Sequence, residues 1–202
     1  MHTTLQAGEV AGLGLSAITV KGSASVSVSL PVTGNSMTMN NTITLGTVTP
    51  ADGGSATSAT KPVGTTNYVF ASLKLTANST EDVQVEKIRF YQQGTAADAD
   101  LANLKLVVDG NVLATVAKAT DKAVVFDLSS SPFSITKGNN KIFELKGDIV
   151  SGSARTIDFE IYNKADISVK GKTYGFYINP SYTHTSAPYW SNDYPTTVDH
   201  GT

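Results

Sequence analysis

The chain has 202 residues, 40% of them hydrophobic, a formal net charge of −2 at neutral pH and no cysteine. That composition supports a packed core and excludes an intrinsically disordered chain, which needs lower hydrophobicity and more net charge. It equally excludes a basic face for non-specific nucleic-acid binding, a polybasic membrane patch, disulfides, thiolate metal sites and cysteine nucleophiles.

Charged residues make up only 16% of the chain, while Ser, Thr, Gly, Asn and Val recur throughout. Such sequences form strands more readily than helices. The opening Met1-His2-Thr3-Thr4-Leu5 has no positive region, and the apolar run from Val10 to Val20 is broken by Gly12 and Gly14. Neither a signal peptide nor a membrane span is therefore expected in this chain, and an exported protein would be represented by its mature form or a fragment.

Charge is distributed unevenly. Residues 1–70 hold only Glu9, Lys21, Asp52 and Lys61, and residues 1–66 contain 21 Ser or Thr. This stretch reads as an arm plus linker. Within it, Ala24, Val26, Val28, Leu30 and Val32 alternate with Ser25, Ser27, Ser29 and Pro31, the period of a strand with one buried face. Leu13 and Leu15 extend the apolar set, Thr42–Leu45 is a shorter second candidate, and Ala51–Ser55 reads as a turn.

The main domain is expected over residues 67–180. Val69, Ala71, Leu73, Leu75 and Ala77 form one inward row. Val83 and Val85 start another, which Ile88 and Phe90 continue on the opposite parity, so a bulge is expected near Glu86-Lys87. Leu104, Leu106 and Val108 lead into the hairpin signal Asp109-Gly110-Asn111, from which Val112, Ala114 and Val116 return. Val124, Phe126 and Leu128 follow, then Phe143 and Leu145 after the turn Lys137–Asn140. Ile157, Phe159 and Ile161 come next, then Ile167 and Val169, and finally Tyr174, Phe176 and Ile178. Asp98 to Asn103 allows at most one helical turn. The expected fold is all-β, an antiparallel sandwich of immunoglobulin-like or jelly-roll-like kind with an extended N-terminal β arm and a tail at residues 181–202.

Three segments carry a family resemblance: Leu75–Val83, Asp100–Gly110, and Phe133–Gly138 with Phe143–Ile149. Across about residues 69–175 the chain resembles a β-sandwich repeat module of bacterial surface-layer-like and cell-surface proteins. The resemblance implies a spacer, lattice or filament role at the cell surface or outside the cell, and it transfers no catalytic residue.

The sequence itself places no enzyme chemistry. His2, His184 and His200 lie near the chain ends, and no G-x-S-x-G elbow or glycine-rich phosphate loop occurs. Asp158 and Glu160 share a strand face, where the solvated side of a half-buried strand accounts for them better than glycoside hydrolysis. No cofactor is required. Asp98, Asp100 and Asp109, near Asn103 and Asn111, are the candidate calcium ligands, although turn formation explains the same residues. Tyr182, Tyr189, Trp190 and Tyr194 are the candidate ligand or interface aromatics; packing of the last strand and the Pro-rich tail onto the sandwich, or burial at a subunit contact, accounts for them better than stacking on a glycan. Asn40-Asn41-Thr42 and Asn78-Ser79-Thr80 are glycosylation sequons.

The sharpest expectation concerns the arm. Its face of Leu13, Leu15, Ala24, Val26, Val28, Leu30 and Val32 needs a partner, either its own sheet or the edge of a neighbouring copy. The second case makes a homo-oligomer or polymer, such as a filament or lattice.

Overall fold

The computed structural model describes residues 8–23, 25–40, 43–191 and 195–199. The chain divides into two compact units, Met1–Thr44 and Leu45–Thr202.

The first unit contains four short strands, β1 (Val10–Ala11), β2 (Gly14–Leu15), β3 (Val32–Thr33) and β4 (Met37–Thr38). β1 runs antiparallel to β4, with Val10 opposite Thr38, and β2 runs antiparallel to β3, with Leu15 opposite Val32. The Gly34 N–H donates to the Leu13 carbonyl at 2.8 Å, and the Met39 N–H donates to Glu9 at 2.7 Å. The result is a two-stranded ribbon closed by residues 16–31. The strand expected over Ala24–Val32 is shorter than its alternation implied. Only Val32 enters a ladder, residues 25–31 join none, and Ala24 lies outside the described residues. Alternation marks a segment that can bury one face, but a ladder forms only where a second strand is at hand.

The second unit runs from β5 to β19. Its first seven strands are β5 (Val48–Asp52), β6 (Ala59–Pro62), β7 (Tyr68–Ala77), β8 (Val83–Gln92), β9 (Leu101–Val108), β10 (Asn111–Val116) and β11 (Ala123–Asp127). Then come β12 (Phe133–Ile135), β13 (Asn140–Ile149), β14 (Thr156–Ile157), β15 (Phe159–Ile161) and β16 (Ile167–Gly171). β17 (Tyr177–Ile178), β18 (Trp190–Ser191) and β19 (Thr196–Asp199) end the series. The only helical turns among the described residues are 3-10 turns at Asp98–Asp100 and Lys164–Asp166.

The architecture is an all-β sandwich. One sheet has the order β10-β9-β13-β7-β5 and is antiparallel throughout. The other is organised on the long strand β8. β16 and β15 lie along one of its edges, and β12 and β11 lie along the other. The two sheets meet through aromatic pairs, Phe70 on Phe159 at 6.0 Å and Phe133 edge-on to Phe143 at 5.4 Å. Phe70, Phe90, Phe126, Phe143 and Phe159 are fully buried, each contributing about 2–3 kcal/mol by leaving water.

Local signals in the sequence are met closely. Val85 and Lys87 are opposite Val169 and Ser168, so Glu86 is the extra residue of a bulge. Asp109 and Gly110 both have positive φ, 50° and 79°, and join Val108 directly to Asn111 as a tight mirror-image turn requires. One inward row differs: a register shift at Leu145/Lys146 turns Phe70 into the core, beside Ala71, and leaves Val69 half-buried.

The expected boundary at Asn67 moves to Leu45. β5 pairs with β7 through Pro50 opposite Leu75, so the hydroxyl-rich stretch before residue 67 supplies an edge strand rather than a linker. The tail is likewise built in. β18 pairs with β15, and β19 lies between β14 and β6, parallel to β6. Parallel partners so far apart in sequence leave no hairpin signal between them.

Candidate assembly surface

The first unit exposes the apolar side chains it carries. Leu13 is 89% exposed and Met37 67%, and Val10, Leu15, Ile18, Val20, Val26, Val28 and Val32 are also open. Among the described residues of the expected arm face, only Leu30 is partly covered. Ala11, Gly12, Leu13, Gly34, Asn35 and Met37 line a shallow, mainly apolar groove of about 350 Å3. Residues 22–51 carry no Asp, Glu, Lys or Arg. A two-stranded ribbon with neither face buried is marginal in water.

The aromatic candidates separate into buried and open groups. Trp190 is 7% exposed, opposite Ile161 and edge-on to Phe90 at 6.4 Å. Its indole belongs to the core, which agrees with packing of the tail onto the sandwich and not with a sugar-stacking face. Tyr182 and Tyr189 pack together at 5.3 Å, with Lys164 Nζ 5.3 Å from the Tyr189 ring. The Tyr182 hydroxyl donates to the Lys164 carbonyl at 3.2 Å, and burial raises its pKa above the ordinary tyrosine value. Tyr194 lies outside the described residues. Among the described residues the open aromatics are instead Tyr162 and, around the β16–β17 turn, Tyr174, Phe176 and Tyr177. Tyr177 donates to Glu86 Oε2 at 2.9 Å, and Lys170 Nζ sits 5.7 Å from its ring.

The three candidate calcium ligands are held by protein donors. Asp98 accepts from the Lys122 N–H at 3.0 Å, and Asp109 pairs with Lys141 Nζ at 2.6 Å. Asp100 is buried and accepts from the Ala97 N–H at 2.7 Å, Ser151 Oγ at 2.5 Å and Arg155 Nη1 at 2.7 Å. Burial alone would raise its pKa, but those hydrogen bonds and the Arg155 charge hold it below the usual carboxylate value. Among the described residues, no three His, Asp or Glu side chains are grouped to hold a metal ion. The sequon residue Asn78 accepts from the Thr80 N–H at 3.2 Å. Asn41 and Thr42 of the other sequon lie outside the described residues.

Glu160 is not on a solvated face. It is 5% exposed because β15 is flanked on both sides, with Tyr91 of β8 and Ser191 of β18 opposite it. Burial raises its pKa. The 2.7 Å hydrogen bond from Gln93 Nε2 opposes that shift, and the Asp158 charge adds to it. His184 Nδ1 lies 3.2 Å from the Pro188 carbonyl, while His2 and His200 are outside the described residues.

One buried carboxylate was legible and overlooked. Glu81 shares the parity of Val83 and Val85, the inward row, and it is 2% exposed. Its oxygens accept from the N–H groups of Gly46 at 2.9 Å, Thr173 at 3.0 Å and Tyr174 at 3.4 Å. A Cβ at Gly171 would lie 2.5 Å from Glu81 Oε1, so only glycine admits the carboxylate there. The arrangement stitches three loops together.

Compared with known proteins, the chain matches no family model, no curated protein and no solved structure.

Proposed function

We propose that this chain is a structural subunit that assembles with copies of itself into a filament or lattice outside the cell or at its surface. The first unit supplies the joining arm. One observation carries the proposal: β1 to β4 form a two-stranded ribbon, and the apolar side chains described in the first unit are nearly all exposed, in a segment almost without charge. Such a ribbon lacks a third strand and a buried face. Addition to a sheet edge supplies both, through main-chain hydrogen bonds and alternate side chains. Head-to-tail addition is heterologous and continues as an open polymer unless it closes. The resemblance of residues 69–175 to surface-layer-like modules favours the same role.

The test removes residues 1–44. The second unit keeps its own core and keeps Gly46 for Glu81, so it should remain folded. Full-length protein should form polymers visible by electron microscopy, and the truncated protein should elute as a monomer. Ordered polymers from the truncated chain would sink the proposal.

A second reading, glycan binding, is favoured by the open aromatics Tyr174, Phe176 and Tyr177. A glycan array on the second unit, repeated with Phe176→Ala, tests it through a signal that depends on that ring.

A further inference from the structure

The geometry points to β10 as the acceptor edge, with residues 25–30 of a second copy as the strand that docks on it. This rests on the assembly function proposed above and names the surface it uses.

A sheet edge invites a further strand unless it is short, charged, interrupted by proline or covered. Most edges of the second unit are protected in one of these ways. β17 and β18 have two residues each. β5 carries Pro50 and ends on Asp52, and its Val48 carbonyl already accepts from the Ser181 N–H at 2.7 Å. β6 contains Lys61 and Pro62. β11 ends on Asp127 and borders a groove lined by Lys87, Arg89 and Lys118.

β10 borders the same groove through Val116 but lacks the other protections. It has six residues, Asn111-Val112-Leu113-Ala114-Thr115-Val116, with no charge and no proline, and among the described residues its only ladder partner is β9. Its protective devices are the register shift between Val112 and Ala114 and, at its end, the cationic groove that Val116 helps to line. Val112 is 54% exposed, whereas Leu113, Ala114 and Val116 lean on the core.

The donor matches it in length, charge and pattern. Ser25–Leu30 is also six residues without charge or proline, and joins no ladder of its own. Its Val26, Val28 and Leu30 alternate with Ser25, Ser27 and Ser29. Laid beside β10, the apolar row extends the side that carries Leu113, Ala114 and Val116, and the serine row falls on the side of Thr115, facing water. Neither surface bears a charge to repel the other.

The absence of cysteine makes the test clean. Two single-cysteine proteins, Ser27→Cys and Thr115→Cys, are mixed under assembling conditions and oxidised, so that a disulfide between them can form only between chains. The controls pair Ser27→Cys with Thr49→Cys on β5 and with Val125→Cys on β11. The Thr115 pair should cross-link at least about tenfold faster, because a disulfide closes only across Cα separations under about 7 Å. Equal or faster cross-linking to either control overturns the assignment of β10. So does the absence of a Thr115 cross-link while full-length protein still polymerises and the 1–44 truncation does not; the assembly function then stands. Polymers from the truncated chain overturn that function, and this inference with it.

Discussion

Glu81 and Gly46 are 35 residues apart in sequence and joined at 2.9 Å, the carboxylate accepting the backbone N–H from inside the fold. The bond fastens the start of the second unit to the turn between β7 and β8, and the same carboxylate fastens the β16–β17 turn through Thr173 and Tyr174. Removing it leaves the buried Gly46 N–H without its acceptor and releases the part-buried N–H groups of Thr173 and Tyr174. Glu81→Ala should therefore lower unfolding free energy by about 1–3 kcal/mol, the cost of one orphaned buried donor. A urea titration reads this as a fall in midpoint at unchanged slope. A midpoint within error of the parent would show that the loops are held by something else.

Asp100 predicts the acid limb of stability. Its folded pKa is depressed, so the contribution it makes is complete above the unfolded aspartate value of about 3.9 and is lost as pH falls through the folded value. Asp127, Glu144 and Asp148 are shifted in the same direction and add to the loss. Asp100→Asn should be less stable than the parent at neutral pH, with the gap narrowing steadily below about pH 4. Thermal melts at neutral and acid pH decide it, and a gap that widens on acidification would refute the assignment.

Glu160 has the opposite sign. Burial raises its folded pKa, so the stability tied to its proton is present below the unfolded glutamate value of about 4.3 and lost as pH rises through the folded value. Glu160→Gln keeps an acceptor for Gln93 and removes the buried charge. The variant should melt higher than the parent at neutral pH and no higher near pH 4. A lower melting temperature at neutral pH would mean the carboxylate has a favourable partner that outweighs its burial.

Trp190→Ala separates packing from recognition. The indole lies against Phe90 inside the sandwich, so truncating it should cost about 3–5 kcal/mol, visible as a lowered denaturant midpoint. Any loss of glycan binding in that variant should track the unfolded fraction, whereas Phe176→Ala should leave the midpoint nearly unchanged. A Trp190 variant of parental stability would return the residue to the surface.

These residues also show what the sequence could reveal. The bulge at Glu86 and the Asp109-Gly110 hairpin were readable because each is a local event, written as a switch of parity or a pair of turn residues. Sandwich class followed from repeated alternation of the same kind. Three things depended on partners distant in the chain. β5 reads as loop around its Pro50 until β7 is beside it, and β19 acquires its strand from the parallel contact with β6. Glu160 looks solvated until β8 and β18 close over its strand. The arm shows the converse: Val26, Val28 and Leu30 alternate as a strand should, yet residues 25–30 stay outside any ladder. Pattern states a capacity to pair, and neighbours decide whether it is used.

The arm's lack of charge makes assembly predictable in its response to salt and temperature. Contacts between charged surfaces weaken as the Debye length contracts, but residues 22–51 and β10 have no charges to screen. Polymer yield should therefore hold, or rise, as sodium chloride increases to about 0.5 M, where the Debye length is only about 4–5 Å. Sulfate should raise it further, and cooling should reduce it, as expected where apolar burial drives association. Thr115→Lys should act against this background by placing a charge on the edge, lowering polymer yield without lowering the melting temperature of the second unit. Light scattering across a salt series reads both effects. Assembly that dissolves on adding sodium chloride would identify a charged interface elsewhere on the sandwich and exclude the arm as the principal joint.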